Sequence, residues 1–181
     1  MKEKQTIEPS QEVKNRLLDL NKRKERLALE DELKKQIEKF PNSSFLLNLM
    51  GICLGSQNKL EESLSSFNLA LKNSEHPSVI FNNKGITEIK LNRLDEAVQS
   101  LNQAVDINPL YAEAYLNLGN ALKKSGELEN AIISYDKAIE NNDNLHNAYL
   151  YKSLTFKSLG KFGNSKEVWK QALKIKPDLC I

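Results

Sequence analysis

Small and bulky residues recur along this chain with a period of 34 that runs without insertion from Ser44 to Pro177. Gly51, Gly85, Gly119 and Ser153 form one small column. Ser63, Ala97, Ala131 and Ser165 form a second, and Ala70, Ala104, Ala138 and Ala172 a third. Between them, Leu47, Phe81, Tyr115 and Tyr149 make one large column, and Phe67, Leu101, Tyr135 and Trp169 another. Two helices cross closely only where one offers a small residue as a hole for a knob on the other. The pattern therefore predicts four helical hairpins.

The boundaries agree with that reading. Asn58, Asn92, Gly126 and Gly160 share one place about fifteen residues into each unit, and Asn and Gly tolerate the left-handed conformation that ends a helix. Glu61, Glu62, Asp95, Glu96 and Glu129 then supply negative charge to the start of a second helix. The fourth unit, with Gly163 and Asn164, lacks that acid. Pro109 and Pro177 close units two and four, whereas Pro77 falls two residues late. Upstream, Leu29, Leu33, Ile37 and Phe40 form a stripe at helical spacing that is expected to dock on the first helix of unit one. Pro41 lies two periods before Pro109. A degenerate first hairpin is expected there, although the run Asn21 to Arg26 holds neither Gly nor Pro and leaves a single unbroken helix open as the alternative. The expected organisation is a disordered tail at 1–9, a degenerate helical pair at 10–43, and repeats at 44–77, 78–111, 112–145 and 146–181.

In the third unit the pattern reads Tyr115, Leu116, Asn117, Leu118, Gly119, then Leu122, Ala131, Tyr135 and Ala138. These columns resemble the tetratricopeptide repeat. Lys84 and Lys152 depart from it where Leu is usual, and Glu88 stands in the column of Leu54, Leu122 and Phe156. The resemblance implies an all-α fold of tandem helix-turn-helix repeats stacked in a right-handed superhelical solenoid, with the first helix of each repeat lining a concave face.

Composition narrows the chemistry. The 181 residues hold 40% hydrophobic and 28% charged residues with a net charge of +2, and only seven Gly and five Pro. No global field steers the chain to nucleic acid or to an anionic membrane, so such a role needs a local patch. No stretch has the length and hydrophobicity of a membrane span or an export signal, and a cytoplasmic protein is expected. Cys53 and Cys180 lack metal-ligand or disulfide spacing, and His76 and His146 have no partner at ligand spacing. Gly160 to Ser165 does not match a phosphate loop, and no paired carboxylates or nucleophile with its base stand out. No catalytic residue, metal or cofactor is expected. The basic run Lys22 to Lys24 with Arg26 is interrupted by Glu25 and lacks interleaved aromatic residues, so it reads as a solvated helix end.

What remains is a surface for a protein or peptide. The resemblance implies that partners meet Phe45, Asn48 and Ile52 in unit one; Asn82, Asn83, Ile86 and Lys90 in unit two; Asn117, Asn120, Lys123 and Lys124 in unit three; and Tyr151 and Lys157 in unit four. Asn83 and Asn117 occupy the sixth place, which in the similar repeat region of protein O-GlcNAc transferase carries asparagines that grip a peptide backbone. The lysines imply an acidic or phosphorylated segment. The places where chaperone-tail clamps require Lys and Asn hold Asn48 and Ile52 instead. A non-catalytic interaction scaffold is the leading reading. The alternatives are the substrate-presenting arm of a glycosyl- or sulfotransferase system, and self-association through the last hairpin.

Overall fold

The structure, a computed structural model, describes residues 8–177; residues 1–7 of the tail expected at 1–9 and the thiol of Cys180 lie outside them. Ten helices and no strand occur among the described residues. They fall into two compact units, Met1–Leu91 and Asn92–Ile181.

The first unit holds α1 (Gln11–Lys22), α2 (Arg26–Lys39), α3 (Ser44–Ser56), α4 (Leu60–Leu71) and α5 (Pro77–Lys90), each packed on the next, with α3 also touching α5. Its core joins Leu17 of α1, Leu29 and Leu33 of α2, and Leu46, Leu49, Met50, Cys53 and Leu54 of α3. Leu47 on α3, Phe67 and Ala70 on α4, and Ile80 on α5 form a second cluster. The stripe of Leu29, Leu33, Ile37 and Phe40 packs against α3, as its spacing predicts. Residues 8 and 9, grouped with the tail by sequence, pack on this unit. Pro9 is buried, and the Glu8 carboxylate accepts a hydrogen bond from the Ser43 hydroxyl at 2.9 Å.

The second unit holds α6 (Leu94–Ile107), α7 (Ala112–Ser125), α8 (Leu128–Asn141), α9 (His146–Ser158) and α10 (Phe162–Ile175), again packed in sequence, with α7 touching α9. Buried Tyr135 and Ala138 of α8 and Gly119 and Leu122 of α7 carry its core.

The size code in the sequence is a distance code in the fold. A Cβ built at Gly51 would stand 2.5 Å from the Phe67 ring, and one at Gly119 would overlap the Tyr135 ring as severely. The same closeness lets the Ser63 hydroxyl donate to the Gly51 carbonyl at 2.7 Å, and the Ser153 hydroxyl to the Ser165 carbonyl at 2.8 Å.

Asn58, Asn92, Gly126 and Gly160 all have positive φ, between 60° and 91°. Lys24 joins them at φ 60°, one period before Asn58, and breaks residues 11–40 into two helices without Gly or Pro. In four of these turns an amide five residues on closes back on a helix carbonyl: Glu25 on Leu20, Lys59 on Leu54, Glu127 on Leu122 and Lys161 on Phe156, at 2.9 to 3.1 Å. That is the Schellman bond, repeated in one register. Pro77, which looked late as a terminator, instead opens α5 at the position where its missing N–H costs nothing.

Candidate functional site

In the first unit, α3 and α5 present Phe45, Asn48 and Ile52 beside Asn82, Asn83, Ile86 and Lys90. The Asn83 amide donates to the Asn48 side-chain oxygen at 3.2 Å, so these two candidates are joined. Asn82 is only 4% exposed and faces inward. Lys90, at the exposed end of α5, donates to the Gly55 carbonyl at 3.3 Å. Ile52 and Ile86 are half-buried, and Ile52 packs beside the cluster of Leu47, Phe67 and Ile80.

Phe45 and Asn48 open onto a cleft of about 650 Å³, completed by Val79 and Ile80 of α5, by Asn73 to His76 between α4 and α5, and by Lys14 and Glu8. The Lys14 ammonium lies 5.2 Å from the centre of the Phe45 ring and 3.1 Å from the Glu8 carboxylate. Ser43, fully buried, also caps α3 by accepting from the Leu46 amide at 3.2 Å. Sequence reasoning missed Lys14 and Glu8; His76, read as a surface residue, is exposed and borders the cleft. Lys14 was findable: it stands one period before Asn48.

In the second unit, α7 carries Asn117, Asn120, Lys123 and Lys124, and α9 carries Tyr151 and Lys157. Tyr135 connects them from beneath. Its hydroxyl donates to the Asn120 side-chain oxygen at 3.0 Å, and its ring lies 6.3 Å from that of Tyr151 at 45°. Burial pushes the Tyr135 hydroxyl well above the usual tyrosine range, so it stays a neutral donor. Lys123 and Lys124 occupy the last turn of α7 and Lys157 the last turn of α9, where the negative end of the helix dipole favours cations. Among the described residues no group of three His, Cys, Asp or Glu side chains could hold a metal ion, and no helix is long and apolar enough to cross a membrane.

Three family profiles match the chain: a TPR repeat at residues 85–126, and tetratricopeptide repeats at 112–145 and 146–179. Together they run unbroken over more than half of it. The chain belongs to the tetratricopeptide repeat family. No curated protein matches this repeat protein in sequence. Its fold is that of solved repeat proteins. MamA from Desulfovibrio magneticus RS-1 (residues 41 to its end) superposes with a TM-score of 0.81 at 19% identity, over 93% of this chain and 96% of that one. YrrB, described as a TPR protein with an unusual peptide-binding site, gives 0.73 at 20% identity, over 94% and 88%. PilF from Pseudomonas aeruginosa gives 0.81 at 18% identity, over 90% and 74%.

Proposed function

We propose that this repeat protein is a non-catalytic scaffold that holds a peptide segment or partner helix against the first helices of its repeats. On this reading the repeats span 44–77, 78–111, 112–145 and 146–181, with 10–43 a degenerate hairpin in the same register. The observation that carries the proposal is the cleft beside Phe45 and Asn48. It is already formed, of a size that takes several side chains, and it sets an aromatic ring and Val79 next to amides that pair with any peptide group. The peptide-binding site described for YrrB, on a similar fold, supports the same reading. Lys123, Lys124 and Lys157 favour acidic residues in whatever segment reaches the second unit. A buried thiol at Cys53, without a disulfide, suits the cytoplasm.

The test is selection of binders from a random peptide library on the immobilised chain, followed by affinity measurement on variants. Val79 is 41% exposed, so Val79→Glu alters the cleft without touching the core. We expect it and Asn48→Ala each to weaken selected peptides about tenfold or more. Peptides that bind these variants and the wild type equally would place recognition elsewhere.

A further inference from the structure

The near-neutral net charge hides an asymmetry. Residues 146–177 carry seven lysines, Lys152, Lys157, Lys161, Lys166, Lys170, Lys174 and Lys176, against one acid, Glu167. The hairpin before it, residues 112–145, carries three lysines and six acids. The reversal is column by column: Lys161, Lys170 and Lys174 stand one period after Glu127, Asp136 and Glu140. The same backbone therefore accepts either sign at these places, and the fold does not demand the lysines.

Their placement makes a surface. On α10, Val168 and Ala172 are buried, whereas Lys166, Lys170 and Lys174 recur every fourth residue on the opposite, exposed side. At the start of this row stands Phe162, 67% exposed, with Lys161 before it. A Cβ built on Gly160 or on Gly163 would meet nothing within 4 Å, so there is open space at both glycines that flank Phe162. Neither α9 nor α10 lines the cleft described above.

We propose that this face docks the protein onto an anionic lipid bilayer, with the lysines over acidic headgroups and Phe162 entering the interface. Three observations favour a bilayer over other polyanions. The face is a row along one helix rather than a groove that reads side chains. Its cations are all lysine, whereas shape-specific phosphate recognition favours the forked guanidinium of arginine. An exposed aromatic residue between cations is the chemistry of a membrane interface, where the ring gains an apolar medium and the ammonium groups stay in water. The amino-terminal hairpin of a second copy is a poorer fit, because residues 10–43 carry nine basic and seven acidic residues.

The experiment sediments the full chain with phosphatidylcholine vesicles, plain or containing about one-third phosphatidylserine, and measures partition at low and high salt. The wild type should partition onto the anionic vesicles about tenfold or more over the plain ones, and salt should remove the difference. The triple variant Lys161→Glu, Lys170→Asp, Lys174→Glu, which copies the charges of the preceding hairpin and is checked for unchanged melting, should not partition. Phe162→Ser should weaken vesicle binding about threefold or more while leaving any binding to polyglutamate or to an RNA homopolymer unaltered. Equal partition onto both vesicles, indifference to the triple variant, indifference of vesicle binding to Phe162→Ser, or binding to the soluble polyanions alone would overturn the proposal.

Discussion

Lys84 and Glu88, one turn apart on α5, pair at 3.3 Å in two columns that other repeats fill with Met50 and Leu118, and with Leu54, Leu122 and Phe156. The Glu88 side chain is only 4% accessible, and one of its oxygens has no hydrogen-bond partner. Each of the two departures from the repeat pattern thus accounts for the other. Lys152 likewise pairs with Asp136 of the preceding helix.

A buried pair of this kind costs desolvation that its attraction barely offsets, but breaking it strands a charge. Lys84→Leu alone should therefore destabilise by about 3 kcal/mol, while Lys84→Leu with Glu88→Leu should be neutral or stabilising by about 1–4 kcal/mol. Denaturant melts of the three proteins decide this, and a double variant less stable than Lys84→Leu would contradict it.

The close crossings predict that Gly119→Ala, whose new methyl would meet the Tyr135 ring, destabilises by about 1–3 kcal/mol. Ala138→Phe, at a site with no exposed surface, should cost at least as much. Because repeat stability is coupled between neighbours, the loss should appear as reduced amide protection in α9 as well as in α8. An unchanged melting temperature for both variants would refute the packing register.

Lys24 is held in the left-handed conformation, which strains a residue with a Cβ. Lys24→Gly should stabilise by about 0.5–1 kcal/mol, since relief of that strain exceeds the added flexibility of the unfolded chain. Gly126→Ala, where φ is 91°, should move stability the other way by about 1 kcal/mol. Thermal melts check both signs.

Hydrogen bonds from Lys34, Gln57 and Lys59 hold the Glu30 carboxyl down at about 2. A carboxyl with a depressed folded value adds stability that is full above the unfolded value and is lost as the pH falls toward the folded one. The stability gap between wild type and Glu30→Gln should therefore be constant near neutrality and close between about pH 5 and pH 2. A gap that is independent of pH would show that the network does not depend on the charge.

The repeating parts of the fold were legible because their physics is local and recurs. A small residue opposite a bulky one and an Asn or Gly at a turn give the same signal four times. The turn at Lys24 was not legible, since its residue type gives no local sign of a positive φ and only the period points to it. In the candidate site, Phe45, Asn48 and Asn83 could be placed from register alone. The cleft they border could not, because Glu8, Lys14 and His76 arrive from three separate segments. Nor does residue type tell that Asn82 turns inward while its neighbour Asn83 reaches Asn48.

The proposed function rests on the face of α3 and α5 in the first unit taking a partner segment. Backbone amide NMR of the isotope-labelled chain, titrated with a peptide selected on it, tests this most directly. Shifts should concentrate on Phe45, Asn48, Val79 and the residues from Asn73 to His76, and Val79→Glu should raise the peptide concentration they need about tenfold or more. Shifts confined to other surfaces, with those residues silent at saturation, would contradict it.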